Sequence, residues 1–354
     1  MHFLAFLFFL VACRGRFLLP VNKNQHEKRG AAFDLERANL ERLTSHAHLN
    51  ISWDELRQDV LDLDGPHNVM FIHATIGVFK RKRGKSGTWG HGREILEEML
   101  ENVEKSKLLH LFRRVYIGTV GSKDDVGIAI ESVLSRFHSN DWRKRLRFVV
   151  SGENIELNEF PTLGILQLYA NLVSEDDAVS SHLLWTHTKG VRQNGAHASD
   201  WRRYMLHMVL QHYLDICKPA MLEEGYLTCG ALKTPTSKGP IYAGNFWWSR
   251  ASFLQSHVDH IRDMAWSNVN RYAAENFLLH GVNASLSRRY HYCIHHTHHD
   301  MQNCRTPSEF YTEVSKSLAL RAHGDCFSAN LRPKNQTKMD PSSWCHHSSL
   351  PLLI

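Results

Sequence analysis

The sequence predicts an α/β protein with a mainly parallel central sheet and helices on both of its faces. Four short apolar runs have the length of buried strands, and a segment with helical spacing lies between each run and the next. Such alternation favours a parallel sheet, because a crossover between parallel strands usually contains a helix. With 354 residues, 43% of them hydrophobic, the chain can bury a core of that size.

The predicted elements follow in order along the first half of the chain. The strands are predicted at residues 69–75, 115–120, 146–150 and 182–186. The helices between them are predicted near residues 95–103, 125–138 and 162–173, where apolar residues recur at intervals of three and four.

The second half is less regular. Ser199 is a candidate N-cap for a helix that continues to Tyr213. The remaining predictions are a short strand at 226–229, a loop at 233–240 and a helix near 250–263.

The N-terminal segment, residues 1–16, is predicted to be a signal peptide or a short signal-anchor. Its apolar run ends at Cys13, whereas a membrane-spanning helix needs about 20 apolar residues. Residues 17–66 are polar and are predicted to form a stem or a peripheral helix, and residues 306–354 form a polar tail.

Cysteine content and glycosylation motifs favour the secretory pathway, either the Golgi or ER lumen or secretion. Asn-x-Ser/Thr motifs for N-glycosylation begin at Asn50, Asn283 and Asn335. Beyond the signal lie six cysteines, which fit disulfides in an oxidising compartment or buried free thiols. Disulfides are preferred, particularly among the last four of the set Cys217, Cys229, Cys293, Cys304, Cys326 and Cys345.

Polar residues stand at or just after the ends of the predicted strands. Ligands of open parallel sheets bind beyond the carboxyl ends of the strands, so these residues are candidates for one binding rim. They are His73, Thr75, Thr119, Thr186, His187 and Lys189.

Two motifs carry a resemblance to a known family. Residues 184–190 (LWTHTKG) and 244–248 (GNFWW) resemble the LHTKG and GNFWW signatures of a group of predicted glycosyltransferases. The resemblance covers roughly residues 67–280 and implies a GT-A-like fold over residues 67–305. In that fold a Rossmann-type parallel half binds a nucleotide sugar, and a mixed-sheet half binds the acceptor.

The resemblance places the donor diphosphate near Thr75, His187 and Lys189. Enzymes of this fold usually carry Asp-x-Asp at the end of the fourth strand to hold Mn²⁺ or Mg²⁺, but this chain has Thr-His-Thr at 186–188. Two alternatives follow: His187 and Lys189 neutralise the diphosphate directly, or His187 is a metal ligand. The co-substrate is a nucleoside-diphosphate sugar in either case.

The resemblance also suggests acceptor and catalytic residues. Asn245, Trp247 and Trp248 are candidates for acceptor binding, by amide hydrogen bonds and by ring stacking on sugars; the alternative is a buried aromatic strand. Alternation along that strand would direct Phe246 and Trp248 to one face and Trp247 to the other. Glu275 is the candidate catalytic base, with a solvated helical glutamate as the alternative.

Two further segments have compositions that suggest ligands. Residues 291–300 are rich in histidine, and His295 or His296 is a candidate metal ligand, although the spacing fits no zinc signature. Residues 80–87 resemble a P-loop but lack its first glycine. They are interpreted as a basic lid, a cleavage site or, preferably, a solvated insertion.

The sequence therefore predicts a glycosyltransferase that moves a sugar from a nucleoside-diphosphate donor to a glycan or glycoprotein acceptor. One alternative is a non-catalytic carbohydrate-binding protein with the same fold, and another is a P-loop-type phosphotransferase or sulfotransferase. The net charge of +6 is modest, and no nucleic-acid partner is predicted. Membrane contact is expected only through the N-terminal segment.

Overall fold

A computed structural model describes eleven stretches of the chain around one central sheet. They are residues 47–49, 52–61, 65–77, 91–152, 158–188, 196–231, 233–236, 239–242, 244–256, 271–279 and 291–293.

The strands within these residues are numbered in chain order. They are β1 Ala47–Leu49, β2 Asn68–Thr75, β3 Phe112–Val120, β4 Leu146–Gly152, β5 His182–His187, β6 Thr228–Gly230, β7 Lys233–Thr236, β8 Gly239–Tyr242, β9 Trp247–Arg250 and β10 His291–Cys293.

The helices are numbered in the same way. They are α1 Trp53–Leu61, α2 Gly92–Lys105, α3 Lys123–Arg136, α4 Asn140–Arg145, α5 Phe160–Leu172, α6 Glu175–Ala178, α7 Ala196–Gln211, α8 Lys218–Leu222, α9 Ala251–Ser256 and α10 Arg271–Asn276. A 3₁₀ turn at Leu109–Leu111 precedes β3, and a π-helical turn at Tyr213–Cys217 precedes α8.

The sheet is mixed, and its parallel part matches the prediction. In the described residues the strand order is β1-β4-β3-β2-β5-β9-β6-β10. The four strands β2 to β5 are parallel to one another, β9 runs antiparallel to both of its neighbours, and β10 is parallel to β6. The alternating first half of the chain therefore forms a Rossmann-like parallel sheet, and the irregular second half adds a mixed extension.

Helices cover both faces of this sheet, as predicted. On one face, Met70 and Ile72 of β2 pack in a core with apolar residues of α2, α3, α4 and α7. On the other, Val69 and Phe71 pack with residues of α1, α5, α9 and α10. Burial of alternate β2 residues on opposite faces follows from the two-residue period of a strand.

The aromatic segment obeys the same period. Phe246 and Trp248 lie in the core on the α2 face, whereas Trp247 lies in the core on the α5 face. The prediction that these rings alternate between the two faces is confirmed.

Three local predictions differ from the structure. Helix α7 begins at Ala196, so Ser199 lies inside the helix and does not cap it. The predicted loop at 233–240 is instead a hairpin in which β7 pairs antiparallel with β8. Strand β1, which was not predicted, pairs antiparallel with β4 and extends the sheet at its edge.

Helix α1 lies within residues 17–66, for which a stem or a peripheral helix was predicted, and it packs on the sheet. Leu56 is buried against α5, and the Asp59 carboxylate accepts hydrogen bonds from Arg114 Nε and the Tyr116 hydroxyl, each at 2.6 Å. Residues 1–46 and 294–354 lie outside the described residues. None of the described helices is both long and apolar enough to span a membrane.

A disulfide joins the end of the π-helical turn to β6. Cys217 and Cys229 are twelve residues apart, both are fully buried, and their Cα atoms lie 5.5 Å apart. This bond is one of the pairings that the cysteine count allowed. The side chain of Cys293 and the whole of Cys304, Cys326 and Cys345 lie outside the described residues.

Removing this disulfide should lower the free energy of unfolding by about 3 kcal/mol, because an unfolded chain without the crosslink gains loop entropy. The change is Cys217→Ala with Cys229→Ala, and the measurement is urea unfolding with and without dithiothreitol. Reductant should lower the stability of the wild type towards that of the variant and leave the variant unchanged. If dithiothreitol leaves the free energy of unfolding of the wild type unchanged, the Cys217–Cys229 pairing is contradicted.

Candidate functional site

The carboxyl ends of β2 and β5 meet at one rim, as the strand-end residues predicted. The Thr188 amide donates to the His73 carbonyl at 2.9 Å, and the Thr75 amide donates to the Thr188 hydroxyl, also at 2.9 Å. These bonds hold residue 188 beside the end of β2. Thr188 is buried, whereas Thr75 is half-buried at the rim.

Helix α2 starts directly against this rim. Gly92, its first residue, packs so closely that a Cβ atom there would overlap the Thr75 carbonyl oxygen. Glycine therefore lets the N-terminus of α2 approach the end of β2. The amide groups of a first helical turn carry partial positive charge, which favours anions at this position.

A buried carboxylate, Glu159, lies at the centre of the neighbouring cluster. Its Oε1 atom is 2.8 Å from His187 Nδ1, and its Oε2 atom accepts from Asn245 Nδ2 at 2.7 Å. Burial by itself would raise the pKa of this carboxyl, but the charge and hydrogen bond of His187, with smaller contributions from His73 and Asn245, lower it to about 2. Glu159 is therefore ionised at neutral pH.

Both ring nitrogens of His187 face acceptors. Nδ1 faces the Glu159 carboxylate, and Nε2 lies 2.9 Å from the Gly244 carbonyl oxygen. An ionised carboxylate and a carbonyl can only accept, so these partners assign a proton to each nitrogen and make the ring an imidazolium. In this arrangement both nitrogens of His187 are bonded within the protein, so neither is open to a metal, and the metal-ligand alternative stays a prediction.

The same geometry bears on the predicted role of His187 in binding the diphosphate of the sugar donor. Both of its N–H groups are already bonded within the protein, so neither is free to bond a phosphate in this structure. Its charge can act on a bound anion only through space, and that charge is largely balanced by Glu159.

Asn245 is bonded to protein on both sides of its amide. Its φ angle of 61° follows Gly244 at 95°, and asparagine is among the residues that tolerate this left-handed conformation. Nδ2 donates to Glu159 and, at 3.4 Å, to the Ala274 carbonyl, while Oδ1 accepts from Trp247 Nε1 at 2.8 Å. The predicted contact with acceptor hydroxyls does not fit this buried amide, which instead orients Glu159.

Trp247 and Trp248 are core residues, and their predicted role as a sugar-stacking platform is wrong. Their exposed fractions are 1% and 0%. Trp247 stacks on Trp185, while Trp248 stacks on Tyr213 at 4.0 Å between ring centroids and donates from Nε1 to the Val209 carbonyl. A platform needs an open ring face, but Trp248 is covered by α7 and Trp247 is packed in the core on the α5 face.

His73 lies beneath the rim as a buried neutral ring. It is 2% exposed, and its Nδ1 is 2.9 Å from the Thr162 hydroxyl of α5. Burial lowers the pKa of His73 to about 4, and the His187 charge adds to this, although the Glu159 charge opposes both. The ring is therefore uncharged at neutral pH.

Glu275 lies one residue beyond the carbonyl that Asn245 contacts. It is partly exposed within α10, so this helix reaches the cluster through the Ala274 backbone. The structure thus places the candidate base near the Glu159 cluster, and its catalytic role stays a prediction.

Sequence reasoning missed Glu159. The signal was a single acidic residue immediately before residues 160–170, all of which are buried in α5. Pro161 marks the first turn of that helix, and a carboxylate at a helix N-terminus is favoured by the helix dipole. A carboxylate so close to a fully buried helix needs a cationic partner, which His187 provides.

Several predicted site residues lie outside the described residues: Lys189, His295, His296 and the basic segment 80–87. In the described part of the chain, no group of three or more His, Cys, Asp or Glu side chains is arranged to hold a metal ion. The donor set at the end of β5 does not fit Mn²⁺ or Mg²⁺, because Glu159 and His187 already bond each other. A metal therefore remains a prediction that rests on residues outside the described part.

Comparison with known proteins gives only weak structural likeness. No protein-family model and no curated protein matches the chain. Among solved structures, it is similar to 4-diphosphocytidyl-2C-methyl-D-erythritol synthase from Anaerococcus prevotii, with a TM-score of 0.31 and 12% identity. The match covers 56% of this chain and 77% of the other. A likeness this weak says nothing about activity.

Proposed function

We propose that this protein is a glycosyltransferase that uses a nucleoside-diphosphate sugar, with a glycan or glycoprotein as acceptor. The observation that carries the proposal is the rim where Thr75 and Thr188 meet and the N-terminus of α2 closes on Thr75. In open α/β sheets, phosphate groups bind at this edge, beside the N-terminus of a helix that follows a strand.

The sheet topology supports the same proposal. The order β4-β3-β2-β5 reproduces the 3-2-1-4 succession of a Rossmann half, and ligands in such sheets bind where the order reverses. Here the order reverses between β2 and β5, which are the two strands that form the rim. The mixed extension of β9, β6 and β10 fits the acceptor half of the GT-A-like fold that the two motifs imply.

Each part of the site then has a distinct role in the proposal. The α2 N-terminus and Thr75 hold the diphosphate, and Lys189 adds a positive charge. Glu159, His187 and Asn245 are positioning residues that lock the turn at 244–245 onto the donor rim. The acceptor lies towards α10, with Glu275 as base.

The reaction needs one proton transfer. Glu275 would take the proton of the acceptor hydroxyl as that oxygen bonds to the anomeric carbon, and the nucleoside diphosphate would leave with the electrons of the broken bond. The secretory pathway is the proposed location, and the buried disulfide supports it because disulfides persist in oxidising compartments.

A nucleotide sugar should raise the melting temperature of the purified protein, because a ligand that binds only the folded state stabilises it. The measurement is thermal unfolding against a panel of nucleotide sugars, with and without Mn²⁺. Lys189→Ala should abolish the shift. Lys105→Ala, which alters an exposed lysine at the C-terminal end of α2, should retain it.

The outcomes of that panel separate the candidate functions. A shift with one donor, lost only in Lys189→Ala, identifies the donor and supports the site, and its dependence on Mn²⁺ shows whether a metal takes part. No shift with any donor, in a sample that unfolds cooperatively, would overturn the proposal. The non-catalytic carbohydrate-binding alternative, favoured by the absence of a carboxylate pair at 186–188, predicts binding to glycans without binding to nucleotides.

A further inference from the structure

The opposite edge of the sheet holds an unusual group of nitrogen-bearing side chains. His182 is the first residue of β5 and Arg250 is the last residue of β9, and the two are paired in the antiparallel ladder. Both point to the face that carries Leu184 and Trp248, because each lies two residues from one of these core residues along its strand. Lys218 begins α8 directly after the π-helical turn Tyr213–Cys217, and the Tyr213 hydroxyl of that turn contacts His182 Nδ1 at 2.9 Å.

Arg250 carries a charge for which the described part of the chain provides no counter-ion. Its side chain is half-buried, its Nε atom is shielded from solvent without a hydrogen-bond partner, and in the described part of the chain no acidic side chain pairs with it. Burial lowers the pKa of its guanidinium. By contrast, Arg202 on the same face is paired with Glu98 at 2.8 Å. A guanidinium withdrawn from water normally has an anionic partner, since an unpaired buried charge is strongly unfavourable.

His182 presents an unused nitrogen in the same place. The ring is 1% exposed, and Nδ1 lies 2.9 Å from the Tyr213 hydroxyl, which in turn donates to Asn68 Oδ1. Because the tyrosine proton goes to Asn68, His182 Nδ1 must be the donor in its own bond, and Nε2 carries the lone pair. Nε2 is buried and has no hydrogen-bond partner among the residues that the structure describes. Burial, and then the charges of Arg250 and Lys218, lower the pKa of His182 to about 3, so the ring is neutral.

We propose that Arg250, Lys218 and His182 form a phosphate-binding site at the amino edge of the sheet, separate from the donor rim. Arg250 and Lys218 donate to the phosphate oxygens, as guanidinium and ammonium groups commonly do. The lone pair of His182 Nε2 accepts the P–OH of a hydrogen phosphate or of a singly protonated phosphomonoester. Both unmatched features, the Arg250 guanidinium and His182 Nε2, are satisfied by one ligand, which is the kind of explanation that buried unpaired polar atoms call for.

The hydrogen bond to His182 distinguishes phosphate from sulfate. Sulfate has no proton to donate at neutral pH, so it would leave Nε2 unsatisfied and place a negative charge near its lone pair. Inorganic hydrogen phosphate carries a P–OH at both pH 6 and pH 8, whereas a phosphomonoester gains one only as pH falls towards 6, where its second phosphate proton binds. Binding should therefore be tighter for phosphate than for sulfate, and glucose 6-phosphate should bind more tightly at pH 6 than at pH 8.

Isothermal titration calorimetry of the full chain with inorganic phosphate and with glucose 6-phosphate, at constant ionic strength, tests this proposal. Arg250→Met keeps the aliphatic stem and removes the charge, and it should weaken binding by roughly tenfold or more. Arg143→Met, which changes an exposed arginine of α4, should leave the affinity unchanged. Binding of both ligands points to an open site for phosphomonoesters, and binding of inorganic phosphate alone points to a closed site for the free ion.

Several results would overturn the site: no phosphate binding at millimolar concentrations, equal affinity for sulfate, or equal affinity in Arg250→Met. If Arg250→Met fails to fold, Lys218→Ala changes an exposed side chain and should still weaken phosphate binding several-fold. The nucleotide-sugar melting shift should be unaffected in both variants, so this inference and the proposed transferase function can fail independently.

Discussion

Glu159→Gln should lower the free energy of unfolding by about 3–5 kcal/mol, because it removes one partner of a buried ion pair. The carboxylate bonds His187 through one oxygen and Asn245 through the other, and it links the start of α5, the end of β5 and the turn at 244–245. Without it, the imidazolium either stays buried without a counter-charge or loses a proton and one hydrogen bond. Urea unfolding at pH 7 measures the change.

A surface glutamate provides the matched control. Glu101 pairs with Lys105 and Arg136, whose side chains are 70% and 50% exposed, so Glu101→Gln should change the free energy by less than about 1 kcal/mol. A double-mutant cycle of Glu159→Gln with His187→Gln isolates the coupling between the two side chains. If Glu159→Gln lowers the free energy of unfolding no more than Glu101→Gln does, the Glu159–His187 pair has little structural importance. Its positioning role in the site must then be abandoned.

Stability should fall as pH is lowered from 6.5 to 4, because His73 is buried and neutral. Its pKa is about 4 in the folded protein against 6.5 ordinarily, so the unfolded chain binds the proton first. The stabilisation is complete above pH 6.5 and is lost as pH falls to 4, by up to about 3 kcal/mol in total. Unfolding free energies from urea titrations at pH 7, 6 and 5 measure it.

The variant His73→Asn isolates this contribution, since the amide can replace Nδ1 in the bond to Thr162 and does not titrate. The slope of stability against pH should drop by about 1.4 kcal/mol per pH unit between pH 6 and 5. His182, with a pKa of about 3, supplies a similar slope that remains in this variant. His138→Asn alters an exposed histidine and should retain the wild-type slope; a wild-type slope in His73→Asn would refute the assignment.

Glu159 does not contribute to that loss, because its pKa is lowered instead. The folded value of about 2 lies below the ordinary 4.5, so its stabilisation is present above pH 4.5 and is lost only as pH falls towards 2. The two groups therefore act in separate windows, and the decline between pH 6.5 and 4.5 belongs to the buried histidines.

What could be predicted from the sequence rests on short-range patterns. The predicted bounds of the strands in the parallel half, and of the helices between them, lie within a few residues of the observed bounds. The reason is that the spacing of apolar residues indicates which face of a helix or strand is buried. The opposite orientations of Phe246 and Trp247 followed from the same period. The strand-end positions of Thr75 and His187 also followed, since the carboxyl ends of neighbouring parallel strands lie at the same edge of the sheet.

The chemistry of the Glu159 cluster could not be read in that way. Glu159, His187 and Asn245 lie in separate parts of the chain, and their hydrogen bonds depend on β9 entering the sheet beside β5. A motif with Trp247 and an amide suggested a sugar platform, but packing against Trp185 buried the ring. Composition reports which groups are present and not which of them are already bonded to one another.

The sequence by itself determined the α/β class, the parallel half of the sheet and the edge at which polar strand ends gather, because these depend on periodicity within each segment. Only the tertiary structure decided that Cys217 pairs with Cys229, that β1 joins the edge of the sheet, and that His187 is held as an imidazolium by Glu159 and Gly244. Those outcomes depend on distances between residues remote in the chain, which are set when the helices and strands pack and exclude water.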